Sequence, residues 1–144
     1  MRTLHSLLAL MLLAVAAAAH AGEVHQATLY KNPWCGCCTE YGRYLEQHGF
    51  EITLEDRDDL APIKREAGAP GTLEGCHTLM VEGYAVEGHV PVEVLLRLLT
   101  EKPDVAGISL PGMPLGSPGM GGEKQGPFTI WAFGERAPDS YAVD

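Results

Sequence analysis

Apolar and polar side chains alternate in two short segments, residues 26–31 and 51–55. Alternation of this kind places the apolar side chains on one face of a strand, so both segments are predicted to be strands. Two further segments, residues 78–81 and 84–87, are separated by a glutamate and a glycine. A two-residue loop that contains glycine is typical of a β-hairpin, so these segments are predicted to form one.

Helical spacing of apolar residues predicts three helices in the same region. The first opens within or just after a run of cysteines and ends at Gly49, and the others span residues 58–67 and 91–100. Pro62 and Pro91 stand near the starts of the latter two, where proline is tolerated because the first N–H groups of a helix have no partner. The predicted order of elements is therefore βαβαββα.

The rest of the chain departs from this pattern. Residues 103–126 contain two Pro-Gly-Met triplets, at 111–113 and 118–120, and this content of Gly and Pro predicts an irregular loop. Residues 127–133 carry apolar and aromatic side chains and are predicted to form a final strand or an apolar segment docked on the sheet. The last residues, 134–144, are polar and lack periodicity, so we expect a flexible C-terminal tail.

Residues 1–21 have the features of a secretory signal peptide. Arg2 supplies a positive charge, residues 7–19 form a 13-residue apolar stretch, and Ala19-His20-Ala21 is an A-x-A cleavage signal. Spanning a bilayer takes about 20 apolar residues, so this stretch is too short for a membrane anchor. We expect residues 22–133 to form one domain exported to a bacterial periplasm, without membrane attachment after cleavage.

The charge of the chain argues against two classes of partner. It carries 19 acidic and 10 basic residues, a formal net charge of −9, and no cluster of Lys or Arg. Nucleic acid and anionic membrane surfaces are therefore not expected as partners, whereas a cation is mildly favoured.

Cysteines supply the candidate chemistry. Cys35, Cys37 and Cys38 lie within four residues at the predicted turn from the first strand to the first helix, and Cys76 stands beside His77. Thiolates select soft ions such as Cu(I), and imidazole suits copper and zinc. A helix N-terminus lowers thiol pKa and helps to keep thiolates charged. The sequence therefore predicts one soft-metal site rather than a disulfide framework.

Other readings of the cysteines stay open. Cys35 and Cys38 form a C-x-x-C pair that could act as a thiol-disulfide oxidoreductase, with Cys35 as nucleophile and Cys38 as resolving thiol. The surplus of cysteines argues against it, because a third thiol beside the pair would divert mixed disulfides. A structural disulfide with a spare thiol is another alternative. Structural zinc is disfavoured, since zinc sites usually draw two separated ligand pairs.

The predicted order of elements, with cysteines between the first strand and first helix, resembles the thioredoxin/glutaredoxin fold. In that fold a proline, usually cis, precedes the third strand and packs against the cysteine turn; here the segment Cys76-His77-Thr78 occupies that position. The resemblance implies that this segment shares a pocket with the cysteine turn. A slip of one residue would turn Cys76 or His77 away, because strand side chains alternate between faces.

Two more residues are candidate ligands. His89 follows the predicted hairpin, in a region that borders the cysteine turn in similar folds. Met113 belongs to the first Pro-Gly-Met triplet, and its thioether could either cover a Cu(I) site or pack as an apolar plug. We favour packing for Met120 and expect His25 and His48 to be exposed.

The motifs together resemble the CopG-type copper-resistance proteins, a family of exported metal-binding domains. The resemblance extends over residues 27–133. It rests on Tyr30-Lys31, Pro33, Cys35-Gly36-Cys37-Cys38, Cys76-His77-Thr78, Gly83-Tyr84, Val86-Glu87-Gly88-His89-Val90-Pro91, Pro111-Gly112-Met113-Pro114 and Gly116-Ser117-Pro118-Gly119-Met120. It implies periplasmic copper binding in copper tolerance, with copper ions and other periplasmic copper-handling proteins as partners. It leaves a redox role open and does not show turnover.

Overall fold

The computed structural model describes residues 24–136 and 138–144, which form three helices and seven strands. In chain order the elements are β1 (His25–Lys31), α1 (Gly36–Glu46), β2 (Phe50–Asp56), α2 (Ala61–Glu66), β3 (His77–Val81), β4 (Tyr84–Gly88), α3 (Val92–Glu101), β5 (Gly107–Leu110), β6 (Thr129–Phe133) and β7 (Asp139–Val143). The predicted signal peptide lies outside the described residues. The expected mixed α/β class is confirmed, and the first seven elements follow the predicted order.

All seven strands form one mixed sheet in the order β2-β1-β3-β4-β5-β6-β7. β1 is parallel to β2 and antiparallel to β3, and β4 is antiparallel to β3 and parallel to β5. The remaining pairs, β5 with β6 and β6 with β7, are antiparallel. The final strand predicted for residues 127–133 is present as β6.

Two strands differ from the sequence prediction. Residues 103–126 were expected to be irregular, but their Gly107–Leu110 segment forms β5, which is only four residues long and too short to show a period. Its Ile108 and Leu110 side chains are buried. The segment expected to be a flexible tail contains β7, whose pairing continues in two backbone hydrogen bonds between Phe128 and Asp144, of 2.8 and 2.9 Å.

Helices α1 and α3 pack on one face of the sheet. Tyr41 and Leu45 of α1 join Leu95 and Leu98 of α3 in the main core, together with inward-facing strand residues such as Leu79. A smaller cluster around Leu73, Ala85 and Phe133 lies on the other face, since strand residues alternate between faces. Among the described residues, no helix has the length and apolar character needed to cross a membrane.

Candidate metal centre

The turn between β1 and α1 presents the first three cysteines. The Asn32 carbonyl accepts the backbone N–H of Cys35 at 2.9 Å, and the Asn32 side-chain oxygen accepts the N–H of Trp34 at 3.1 Å. The Lys31 ammonium donates to the carbonyls of Asn32 and Pro33 at 3.2 and 3.4 Å. This short Asx-type turn ends at Cys35, the N-cap of α1, so Cys37 and Cys38 lie in the first helical turn.

The sulfur atoms of all four cysteines lie within 4.8 Å of one another. Cys35 and Cys38 are joined by a disulfide, and Cys37 and Cys76 are free thiols. The Cys38 and Cys76 sulfurs are 3.3 Å apart, and those of Cys35 and Cys37 are 3.5 Å apart. The fold therefore brings the two distant cysteine segments to one point, because Cys76 immediately precedes β3, the neighbour of β1.

Two imidazoles extend this sulfur cluster into the protein. The Cys76 sulfur lies 3.3 Å from Nε2 of His89 and 3.6 Å from Nδ1 of His77. Cys38, Cys76, His77 and His89 form a second group whose potential ligand atoms are all within 4.8 Å of one another. Cys38 and Cys76 belong to both groups, so the four-cysteine group and the group with the two histidines share these two sulfurs.

His89 is held by the irregular loop that carries the Pro-Gly-Met triplets. Its Nδ1 lies 2.6 Å from the carbonyl oxygen of Pro118, and a carbonyl can only accept. Nδ1 therefore carries the proton, which leaves the lone pair of Nε2 facing the Cys76 sulfur. A histidine oriented in this way by a carbonyl is typical of metal sites.

The same loop is seated directly on α1 at Gly119. Gly119 has φ +79°, and a Cβ there would lie 2.6 Å from the Tyr41 backbone nitrogen and 2.9 Å from the Cys37 carbonyl oxygen. Contacts this close leave no room for a side chain, so only glycine permits the loop to reach α1. Because the loop also contains Pro118, whose carbonyl contacts His89, it connects the start of α1 with His89.

His77 is completely buried, and its ring stacks on that of Tyr41 with centroids 4.9 Å apart. Within the described part of the chain, His77 Nε2 is the one buried side-chain nitrogen or oxygen without a hydrogen-bond partner. Burial holds the pKa of His77 well below its usual value, and a second charge beside His89 or Lys64 would be unfavourable, which lowers it further. Burial also lowers the pKa of His89, although the hydrogen bond to the Pro118 carbonyl acts in the opposite direction. Both imidazoles are therefore neutral, which is the form that binds metal.

The free thiol of Cys76 responds to burial in the opposite direction. Burial first, and then the neighbouring Cys37, raise the pKa of Cys76 to about 12. The metal-free thiol is therefore protonated at neutral pH, and a metal ion that binds Cys76 displaces a proton.

A buried ion pair lies behind the Cys76–His77 segment. The Lys64 ammonium donates to a Glu87 carboxylate oxygen at 2.6 Å and to the His77 carbonyl at 3.1 Å. The same carboxylate accepts the backbone N–H of Gly75 at 2.7 Å and the hydroxyl proton of Thr78 at 2.5 Å. These bonds fix the backbone on both sides of Cys76 and His77.

Sequence reasoning missed these supporting residues. The sequence assigned no role to Glu87 or Lys64, both of which are buried, and the Pro118 carbonyl carries no side-chain signal. Of the remaining candidates, Met113 is 41% exposed on the loop and stays a prediction as a ligand. The expectation that His25 is exposed is wrong, because it is half-buried and pairs with Glu82, whereas His48 is exposed as expected. Neither histidine belongs to the two groups found among the described residues.

The fold and the site define a mixed α/β protein with a cysteine and histidine cluster that could bind metal. Residues 73–120 match the family model described as "Protein of unknown function, DUF411". No curated protein matches the chain. Two solved structures, described as copper resistance protein CopG, forms 1 and 2, are each 33% identical with a TM-score of 0.78. The matches cover 85% of this chain and 98% and 99% of the respective neighbours. The chain therefore belongs to the CopG-type family.

Proposed function

We propose that this protein is an exported copper-binding protein that acts in copper resistance. In this proposal Cu(I) is held by the thiolates of Cys35, Cys37, Cys38 and Cys76, with the imidazoles of His77 and His89 completing the site. The observation that carries the proposal is the convergence of four sulfurs, from two segments about 40 positions apart, within 4.8 Å of one another. The copper resistance proteins among its structural neighbours support the choice of copper.

The donor set fits Cu(I) chemically. Thiolates are soft ligands that select Cu(I), and four of them in one place exceed the two that dithiol exchange needs. Loading all four requires reduction of the Cys35–Cys38 disulfide, which consumes two electrons and two protons from a cellular dithiol. Position at the N-terminus of α1 favours the thiolate form of the reduced cysteines.

The wider expectations from the sequence belong to the same proposal. We assign residues 1–21 to a cleaved signal peptide and the folded domain to the periplasm, where other copper-handling proteins are its partners. We also assign β1-α1-β2-α2-β3-β4-α3 to a thioredoxin-like unit, to which β5, β6 and β7 are added at one edge. In this proposal the cysteine turn of the thioredoxin-like unit binds a metal ion instead of reacting with a substrate disulfide.

A Cu(I) titration of the reduced protein tests the proposal. Reduced protein is mixed anaerobically with a chromophoric Cu(I) chelator, and copper transfer to the protein is followed by absorbance. We expect stoichiometric binding that is lost for the most part in Cys35→Ser and in Cys38→Ser. His48→Ala, which alters an exposed histidine outside the site, is the matched control. Unchanged Cu(I) stoichiometry in both cysteine variants would contradict the proposal.

A second function, thiol-disulfide oxidoreductase, is favoured by the Cys35–Cys38 disulfide itself. Cys35 is partly exposed and Cys38 is buried, as expected for a nucleophile and a resolving thiol. Reduced Cys35 would attack a substrate disulfide to form a mixed disulfide, and Cys38 would then displace the substrate thiol. Catalysed reduction of a disulfide substrate that disappears in Cys35→Ser is the expected result. A rate no higher than that of a free thiol would exclude this function.

A further inference from the structure

The buried end of the disulfide is in contact with a free thiol. Cys38 is completely buried, and its sulfur lies 3.3 Å from that of Cys76. A disulfide sulfur carries no proton, so the S–H of Cys76 faces the Cys38 sulfur directly. Disulfides exchange when a thiolate attacks one of their two sulfurs. Because Cys38 is closed to solvent in the folded chain, only a thiol inside the pocket can attack it, and Cys76 is placed to do so.

The backbone on both sides of Cys76 is held against its neighbours, so this contact is maintained. The buried ion pair behind the segment accepts the N–H of Gly75 at 2.7 Å and donates to the His77 carbonyl at 3.1 Å. A Cβ at Gly75 would lie 2.4 Å from the Gly88 backbone nitrogen, so only glycine lets the segment lie against β4. Attack also requires the Cys76 sulfur to move into line with the disulfide bond. Rotation of this half-buried side chain about its Cα–Cβ bond is the movement available.

The other sulfur of the disulfide is suited to leave. Cys35 is the N-cap of α1 and is partly exposed, and the N-terminus of a helix stabilises a thiolate. The Cys35 sulfur lies 3.5 Å from that of Cys37, which is free and also partly exposed. Exchange therefore moves the disulfide into the pocket and leaves a pair of free thiols, Cys35 and Cys37, at the surface.

We infer that Cys76 is an internal nucleophile that exchanges the Cys35–Cys38 disulfide for a Cys38–Cys76 disulfide. The Cys76 thiol loses its proton and its sulfur bonds to Cys38, while the bond to Cys35 breaks and Cys35 takes up a proton. One disulfide and two thiols are present before and after, so the step needs no oxidant or reductant. This inference goes beyond copper binding, because it concerns the metal-free protein. Its consequence is that the oxidised chain still presents a nucleophile, Cys35, to the disulfide of a partner.

Alkylation of the metal-free disulfide form tests this inference. Protein that retains two free thiols is incubated with N-ethylmaleimide, digested with trypsin and mapped by mass spectrometry. Uncatalysed disulfide rearrangement is slow, and burial raises the pKa of Cys76, so the reaction is followed over hours. A fixed disulfide would leave the label on Cys37 and Cys76. We expect the label to accumulate on Cys35 and Cys37 instead, with the tryptic peptide of residues 66–97 cross-linked to that of residues 32–43.

Two variants identify the sulfurs in the cross-link. It should be lost completely in Cys76→Ser and should persist in Cys37→Ser, where label on Cys35 leaves Cys38 as the partner of Cys76. Circular dichroism verifies that each variant is folded. Wild-type protein whose label stays on Cys37 and Cys76 without any cross-link would overturn the inference, and so would a cross-link that disappears in Cys37→Ser. The Cu(I) titration of the reduced chain tests the proposed function separately, so neither result of the alkylation decides it.

Discussion

The Cys76 sulfur lies 3.3 Å from Nε2 of His89, and this contact joins the two halves of the candidate site. On one side of Cys76 are the three cysteines of the β1–α1 turn, and on the other are two buried imidazoles. The thiol of Cys76 is thus available both to a cluster of sulfurs and to a mixed sulfur–nitrogen set. We expect the behaviour of the site to depend on Cys76 more than on Cys37, the other free thiol.

Replacing Cys76 should therefore affect copper more than replacing Cys37. Cys76→Ser removes a sulfur that belongs to both ligand groups, whereas Cys37→Ser removes a member of the sulfur group alone. We expect Cu(I) affinity of the reduced protein to fall by more than about 100-fold in Cys76→Ser, beyond the 10- to 100-fold typical of losing a supporting residue. Competition against a Cu(I) chelator measures both variants, and an equal loss in the two would argue against a shared sulfur.

Gly119→Ala should displace the loop that supports His89. The added methyl group would lie 2.6 Å from the Tyr41 backbone nitrogen, and the backbone at φ +79° disfavours any side chain. We expect a loss of about 1–3 kcal/mol in stability and a 10- to 100-fold weaker metal affinity, because the Pro118 carbonyl no longer orients His89.

Gly121→Ala is the matched control in the same loop. A Cβ at Gly121 meets no atom within 4 Å, so this variant should retain both stability and metal affinity. Thermal denaturation and metal titration compare the two variants. If Gly119→Ala behaved like Gly121→Ala in both measurements, the seating of the loop on α1 would be refuted.

Glu87→Gln should destabilise the chain strongly. The substitution removes the buried charge that pairs with the Lys64 ammonium at 2.6 Å and that holds the Gly75 N–H. Breaking a buried ion pair costs about 3–5 kcal/mol, because the remaining charge is left without a partner. Urea denaturation measures this loss, and metal affinity should fall with it. Glu101→Gln, in the exposed pair with Arg97, is the control and should change stability little.

Metal affinity should rise with pH, since burial raises the pKa of Cys76 to about 12. Metal binding at Cys76 must displace the thiol proton, so apparent metal affinity should increase about tenfold per pH unit below that pKa. The folding stability of the metal-free protein changes with pH in the opposite direction. Because the pKa of Cys76 is raised in the folded state, its contribution to stability is complete below the ordinary pKa of 9.0 and is lost as the pH rises toward 12. Titrations at several pH values measure the slope, and a pH-independent affinity would show that Cys76 is not a ligand.

Much of the fold could be predicted from the sequence, because its early elements have clear periodicity and clear stops. Residues 26–31 alternate and end before Asn32-Pro33, and the structure places β1 there. β5 was missed because four residues are too few to show a period. β7 was missed because it has only five residues and its apolar side chains are consecutive rather than alternating, so its pairing with β6 depends on tertiary structure.

The candidate ligands were also visible in the sequence, whereas the residues that support them were not. Cysteine and histidine have recognisable chemistry, and the resemblance to the thioredoxin/glutaredoxin fold implied one pocket. The carbonyl of Pro118 and the buried Lys64–Glu87 pair act through backbone position and burial, which a single sequence does not display. The disulfide between Cys35 and Cys38 was open as an alternative, and the structure shows it together with two free thiols.

The most direct test of copper binding is the metal content of the protein isolated from copper-grown cells, with a parallel count of free thiols. The account predicts stoichiometric copper that is lost in Cys35→Ser while the variant remains folded. A metal-free protein with two of its four thiols missing as the Cys35–Cys38 disulfide would contradict copper binding and would favour the oxidoreductase.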